Sequence, residues 1–439
     1  MKMKRMLLYF IFSLALCFIV QGLLFAERSI AASAQTPEVE WANTFERGEA
    51  HFVEQTKDGG YVVSGWIEAG QEGPDVFLAR YDGGGNRLWL KTYRGNGYND
   101  SHCVKETSEG GFIIAGETKS RHGYDHDVYV VRTDEKGEMI WEKEFGGERC
   151  DYVWSVQQTK DGGFIIAGGT ESCGAGIYDV YLIKLDLNGN EIWEKTYGGA
   201  GSDCGYAVLQ LADGGYLVAG NAESFGAGNP DLYLLKTDGD GKMLWQKTYG
   251  GKGSDYGWSL VKAGDGGFLI AGEKEITGDR GGGFAAVLIK VDPDGNELWE
   301  NTYGNNSVSS FYSVSQAKDG GYILTGKKES AEGGYDLYVV RTDKNGGLAW
   351  EKTVDGTGGN SGYAVLQSKD GGYIVAGEKG IEKSAGSEIF LLKLKSERNP
   401  IGGLVWLIGA AAVILIISLL IYRKSLPKKA GLFRKENVV

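Results

Sequence analysis

Proline, histidine and catalytic signature motifs are scarce in this chain, and each scarcity removes a class of protein. There are only 6 prolines beside 71 glycines in 439 residues. That much glycine without proline is not the proline-rich, low-complexity kind. Four histidines and no G-x-S-x-G elbow leave no nucleophile–base set that can be singled out. No segment of the long central region repeats its apolar residues at a period of 3.6, so helical repeats are excluded. The region is also short of positive charge. Residues 35–400 carry 36 basic against 56 acidic side chains, a net charge of about −20, while the whole chain is −12. Such a surface repels phosphates, so nucleic acid is not an expected partner.

Long apolar runs occur only at the two ends. Lys2, Lys4 and Arg5 precede an apolar stretch from Leu7 to Ala26, and small residues continue to Ala34. Residues 1–34 read as a signal peptide, with an uncleaved N-terminal anchor as the alternative. Ile401 to Tyr422 is free of charge and long enough to cross a hydrocarbon core of about 30 Å. Residues 400–422 are therefore expected to form a transmembrane helix. Arg423, Lys424, Lys428, Lys429, Arg434 and Lys435 follow it. Positive residues stay cytoplasmic, which makes 423–439 an inner tail and places 35–399 outside the cell.

What the chain has in abundance is a repeat. An Asp-Gly-Gly or Glu-Gly-Gly turn begins at Asp58, Glu109, Asp161, Asp213, Asp265, Asp319 and Asp370, and a tryptophan recurs at Trp41, Trp89, Trp141, Trp193, Trp245, Trp299 and Trp350. The period is near 52 residues. One unit reads YAVLQL (206–211), YLVAG (216–220), DLYLLKT (231–237) and MLWQKTY (243–249), four short strands joined by glycine turns. Four strands at such a period mark a propeller blade. The tryptophan strand comes first in the chain, and the last unit ends without one. The expectation is an all-β, seven-bladed β-propeller with four-stranded blades, closed by its N-terminal strand, plus one C-terminal transmembrane helix.

The units DGGFIIAG (161–168), DVYLIKLDLNG (179–189) and WEKTYGG (193–199) resemble a family of secreted bacterial and archaeal propeller-repeat proteins across about residues 41–395. That resemblance implies the fold and no particular activity. A second resemblance, carried by Asp186, Gly189 and Trp193, is to the quinoprotein-type repeat. It implies a tryptophan that locks blades together. Quinoprotein dehydrogenases also use adjacent cysteines and a calcium-binding carboxylate site. This sequence has no adjacent cysteine pair.

Several residue sets are candidates for chemistry. Asp127, Asp179 and Asp231 open third strands, and Asp203 and Asp255 precede first strands. Alternating strand directions put both sets on one face, where they either bind a ligand or fix the loops by accepting backbone N–H groups. The turns at Asp186, Asp238 and Asp292 resemble the start of a calcium loop but lack its late bidentate glutamate, and read as glycine hairpins. His122 and His126 flank Asp125, a set of the type that holds zinc. Cys103, Cys150, Cys173 and Cys204 make an even number in an exported chain, which suggests two disulfides.

No cofactor is expected. The groups these patterns would take are pyrroloquinoline quinone and calcium under the quinoprotein resemblance, and zinc at the histidine loop. The function expected is a non-catalytic, monomeric cell-surface propeller that binds or scaffolds an extracellular protein or glycan. The alternatives are a structural envelope component, and a quinoprotein-like oxidoreductase or an enzyme degrading extracellular polymers.

Overall fold

A computed structural model describes residues 36–397, apart from 71–72, 121–124, 228, 277–281, 306, 357 and 382–385. The signal peptide and the membrane helix expected at 1–34 and 400–422 lie outside the described residues. Among those described there is no helix long and apolar enough to cross a membrane.

The chain begins with β1 (Val39–Gln55), β2 (Tyr61–Glu68), β3 (Pro74–Tyr81) and β4 (Arg87–Tyr93). Next come β5 (Asn99–Glu106), β6 (Phe112–Lys119), β7 (His126–Thr133) and β8 (Met139–Phe145), then β9 (Asp151–Gln158), β10 (Phe164–Thr170), β11 (Asp179–Leu185) and β12 (Glu191–Tyr197). β13 (Asp203–Gln210), β14 (Tyr216–Ala222), β15 (Asp231–Thr237) and β16 (Met243–Tyr249) precede β17 (Asp255–Lys262), β18 (Phe268–Glu275), β19 (Phe284–Val291) and β20 (Glu297–Tyr303). The run ends with β21 (Ser309–Gln316), β22 (Tyr322–Glu329), β23 (Tyr335–Thr342) and β24 (Leu348–Val354), then β25 (Asn360–Gln367), β26 (Tyr373–Gly380) and β27 (Ser387–Leu394).

The repeated Asp-Gly-Gly turn has a local cause. In the first unit Gly59 takes φ +95°, a conformation open to glycine and costly for a side chain. Its N–H donates to Thr56 O at 2.9 Å, and Thr56 N–H donates to Gly60 O at 3.0 Å. Asp58 Oδ1 accepts from Thr56 Oγ1 at 2.6 Å and holds Arg80 of β3 at 2.5 Å. A buried cation on the third strand recurs in later units. Lys184 pairs with Asp161 at 3.0 Å, Lys290 with Asp265 at 2.7 Å and Lys393 with Asp370 at 2.8 Å. Second and third strands are buried almost throughout, as in Phe164–Thr170 and Asp179–Leu185. They are covered on both faces by neighbouring sheets.

Hydrogen bonding divides the strands into six sheets, five of four strands and one of seven, in the order β25-β26-β27-β1-β2-β3-β4. This corrects the expectation of seven separate four-stranded blades. The physical reason is β1. Its first half, Val39 to Arg47, pairs with β27, and its second half, Gly48 to Gln55, pairs with β2. The strand bends between them at Glu46 (φ +27°) and Gly48 (φ +151°) without breaking. The first strand of each unit packs against the first strand of the next, running β1, β5, β9, β13, β17, β21, β25 and back to β1. The propeller-like ring is closed by its own chain.

Neighbouring sheets are clamped by the tryptophan strand. A methyl group on Gly241 would lie 3.1 Å from the Trp193 indole, and one on Gly295 would lie 2.7 Å from Trp245. These turn glycines have φ +77° and +75° and serve as flat platforms for the indole. The tyrosine four residues on reaches the same turn, Tyr249 Oη donating to Gly295 O at 2.6 Å and Tyr303 Oη to Gly346 O at 2.7 Å. At the closure, Trp41 lies against Gly85 and edge-on to Tyr61 at 6.5 Å. Lys369 N–H donates to Gln55 Oε1 at 2.7 Å, as Lys160 N–H does to Gln210 at 2.8 Å inside the ring.

Two outcomes follow for stability. Trp41→Ala should destabilise the protein in urea unfolding as much as Trp193→Ala, each by on the order of 2 kcal/mol, below the cost for a fully buried tryptophan because both rings are half-buried. A Trp41 variant with wild-type stability would mean that the ring does not depend on its first strand. Burial pushes Asp370 upward, but hydrogen bonds from Lys393, Ser368 and Gly372 hold its carboxyl down to about 2. Its unfolded value is near 3.9, so its stabilisation is full above that pH and is lost as pH falls through about 2. Asp370→Asn should cost on the order of 1 kcal/mol at neutral pH, because the Asp370 carboxylate is more than half exposed and solvent screens the pair, and it should flatten the loss of stability between about pH 4 and 2. Equal acid slopes in the two proteins would contradict the pairing.

Candidate functional site

The seven first strands each carry a β-bulge at the same level. The residue left out of the pairing is His51, His102, Trp154, Tyr206, Trp258, Tyr312 or Tyr363. Every one is aromatic or an imidazole, and every one is half-buried. A glycine of the second strand makes the bulge possible. A Cβ on Gly220 would lie 1.8 Å from Cys204 O, and one on Gly272 would lie 1.8 Å from Tyr256 O. Only a residue without a side chain lets the bulged backbone approach so closely.

The bulged side chains meet around the axis. Ring centroids are 5.2 Å apart for His51–His102, 6.4 Å for His102–Trp154 and 4.8 Å for Trp154–Tyr206. They are 4.4 Å for Tyr206–Trp258, 6.1 Å for Trp258–Tyr312, 5.6 Å for Tyr312–Tyr363 and 5.1 Å for Tyr363–His51. The contacts form an unbroken circle, mostly edge-to-face or tilted, which aromatic quadrupoles favour. A cavity of about 980 Å³ is lined by all seven first strands and includes this circle.

The circle is chemically uneven. On one side, His51 Nε2 lies 3.0 Å from Glu49 Oε2 and Nδ1 lies 3.2 Å from Asp100 Oδ1. Burial opposes protonation of His51, but Asp100 and Glu49 together raise it well above the usual histidine range. Burial lowers His102 to about 4. Burial, with Asp100 nearby, raises Glu117 to about 8. Elsewhere on the circle, Ser310 donates to Glu273, and Lys327 lies over Tyr335 at 4.7 Å and Tyr312 at 5.5 Å. Tyr363 Oη donates to Glu378 at 2.8 Å. Past the circle, Lys105 pairs with Glu54 at 3.8 Å.

The residues expected from sequence have other positions. Register aligns Asp203 with Ala222 and Ala222 with Asp231, so first- and third-strand aspartates do share one face. They are buried, however, and hold their own loops. Asp203 Oδ2 accepts from Gly199 N–H at 2.9 Å, Asp255 Oδ2 from Gly251 at 3.0 Å, Asp179 Oδ2 from Ala175 at 2.6 Å and Asp231 Oδ2 from Ala227 at 2.6 Å. Asp127 has its nearest counterpart in Asp151, both carboxylates facing Gly146. The turns at Asp186, Asp238 and Asp292 are glycine hairpins in which the aspartate accepts the N–H groups two and four residues on.

His122 lies outside the described residues. Cys150 Sγ is 3.7 Å from Asp125 Oδ1, and His126 Nδ1 is 3.8 Å from Glu117. Among the described residues, the one group of three possible metal ligands is His51, Asp100 and His102. The disulfide expectation is corrected, since Cys103, Cys150, Cys173 and Cys204 are all free thiols. They occupy different depths. Cys103 faces Val156 O inside the packing, and Cys173 sits in a loop beside Thr170. Burial raises Cys204 to about 12, which leaves it an inert thiol.

The circle was visible in the sequence as an unread signal. Each bulged residue stands seven positions before the acidic residue of its turn, His51 before Asp58 and Trp258 before Asp265. If the second-strand glycine is what admits the bulge, Gly220→Ala should destabilise the protein by roughly 1–3 kcal/mol, the usual penalty for overpacking. It should also shift the near-ultraviolet circular dichroism of Tyr206 and Trp258. A Gly220→Ala protein with unchanged stability and spectrum would refute the assignment.

No protein-family model matches the chain, and no curated protein does. Solved structures do resemble it. A protein of unknown function from Dyadobacter fermentans DSM 18053 is 14% identical, with a TM-score of 0.46, over 82% of this chain and 99% of its own. The β-propeller domain of the Trilobed protease from Pyrococcus furiosus is 14% identical, with a TM-score of 0.44, over 81% of this chain and 100% of its own. The polysaccharide lyase Uly1 is 11% identical, with a TM-score of 0.49, over 79% of this chain and 90% of its own.

Proposed function

We propose that the chain is a seven-bladed member of the secreted propeller-repeat family, held at the cell surface by its C-terminal segment, and that it binds an extracellular glycan without catalysing a reaction on it. The seven-stranded sheet counts as two blades divided at Glu46–Gly48. Seven first strands in a closed cycle support that count.

The observation that carries the binding reading is the circle of seven half-buried aromatic and imidazole side chains around the axial cavity. Aromatic rings offer large, rigid, weakly polar faces with polar edges. Here they stand next to carboxylate, hydroxyl and ammonium groups from Glu49, Glu273, Ser310 and Lys327. A sugar has apolar C–H faces and a rim of hydroxyls, and this lining matches both. The cavity volume lies at the upper end of the usual range for ligand sites, about 300–1,000 Å³. The strongly acidic exterior disfavours polyanionic glycans and leaves neutral or amine-bearing ones.

The test is a glycan array probed with the full-length protein in detergent, followed by calorimetry on the best ligand. Saturable binding should weaken at least tenfold in Trp154→Ala and in Trp258→Ala, each checked for folding by circular dichroism. Glycan binding no stronger in wild type than in the double variant would end the glycan reading. Capture of a protein in its place would redirect the search to protein partners.

A further inference from the structure

The circle departs from tryptophan and tyrosine at two adjacent positions, His51 and His102, and there it gathers carboxylates. One ligand atom each from His51, Asp100 and His102 lies within 4.8 Å of the others. Asp100 is 4% exposed. Glu117 is paired opposite Asp100 in the β5–β6 register. Glu49 lies on the far side of the His51 ring.

The arrangement around His51 is the informative part. Its Nε2 is 3.0 Å from Glu49 Oε2. In the neutral tautomer that keeps its proton on Nε2, toward Glu49, Nδ1 is a bare lone pair able to ligate a cation. That lone pair faces Asp100 Oδ1 at 3.2 Å. The two atoms are close but are not aligned as a hydrogen bond, and both are buried without a hydrogen-bond partner. Either a proton on Nδ1 or a metal ion in its place satisfies both atoms. Metal–nitrogen and metal–oxygen bonds of about 2.0–2.1 Å put neighbouring tetrahedral ligands about 3.3 Å apart, close to the spacing observed. A carboxylate holding the other nitrogen of a ligating imidazole is the usual outer support of such a site.

We infer that the chain binds one divalent transition-metal ion, zinc foremost, between His51, Asp100 and His102, with Glu49 orienting His51. Two imidazoles and one carboxylate suit zinc and its neighbours in the first row rather than calcium, which takes six to eight oxygens. Three protein ligands leave at least one position open to the axial cavity. The site differs from the one suggested by His122, Asp125 and His126. It does not rest on the glycan reading, since metal binding is measured with no glycan present.

The experiment uses the full-length protein in detergent, stripped with chelator and titrated with zinc chloride by calorimetry. X-ray absorption at the zinc edge then reports the ligand atoms. The expected result is one zinc per chain in a shell of nitrogen and oxygen containing two imidazoles. His102→Gln and Asp100→Asn should each weaken binding at least 100-fold, and Glu49→Gln should weaken it about 10–100-fold. Metal-free melting curves of the variants, matched to the metal-free wild type, separate loss of a ligand from loss of fold. If His102→Gln does not fold, the wild-type absorption spectrum still decides. Sulfur in the shell, no saturable binding, or binding that survives all three variants and falls in His126→Gln would each overturn the assignment.

Discussion

One strand with two partners is the constraint on which the rest of this structure depends. β1 gives its first half to β27 and its second half to β2, so the two ends of the repeat run share a single piece of backbone. A sheet edge with unpaired N–H and C=O groups invites association with other chains. Sharing β1 removes that edge at the seam. It also fixes the first strand of every unit at one distance from a common axis. The clamps of tryptophan and tyrosine on the next turn glycine then act equally at the seam and inside the ring, as Trp41 on Gly85 and Trp193 on Gly241 demonstrate.

Closure is what turns a repeated local irregularity into a site. A β-bulge on one strand merely re-aims one side chain. Seven bulges at one level on seven strands in a circle aim seven side chains at the same axis. The cost falls on the second strand, where Gly220, Gly272 and their equivalents must remain without a Cβ. The fold therefore demands the glycine and the bulge, and leaves the identity of the bulged residue open.

Much of the architecture was legible in the sequence, because it rests on short-range chemistry repeated at a fixed period. The Asp-Gly-Gly turns, the uniformly apolar second and third strands, and the missing tryptophan strand of the last unit all point to the ring and to its closure through β1. The sequence did not reveal that β1 would run on unbroken and merge two units into one seven-stranded sheet, since a bend and a break look alike at Glu46–Gly48. It drew attention to the repeated acids rather than to the axial circle. Asp179, Asp203, Asp231 and Asp255 stood out as repeated acids, and one oxygen of each accepts a loop N–H group. The glycine of the second strand looked like a strand ending, because its necessity depends on a backbone carbonyl about 16 residues earlier in the chain. His51 and His102 are a whole repeat apart, and only the packing of β1 against β5 makes them neighbours.

The departures from symmetry at His51 and His102 are not what filling the axis requires. A ring that needed only to fill its axis would be served by tyrosine or tryptophan at all seven bulges, as it is at five. His51 and His102 fill space less well than the rings they replace. They also bring Glu49, Asp100 and Glu117 into a partly dry region, where burial raises Glu117 to about 8 and lowers His102 to about 4. Burying ionisable groups in this way costs stability unless they are paired or hold an ion. The wall at Tyr312, with Lys327 over its ring, carries a different balance. The lining is thereby uneven around the axis, imidazole-rich at β1 and β5 and aromatic elsewhere, with Lys327 over Tyr312. The same asymmetry that costs the fold stability makes the seven positions around the axis chemically distinct.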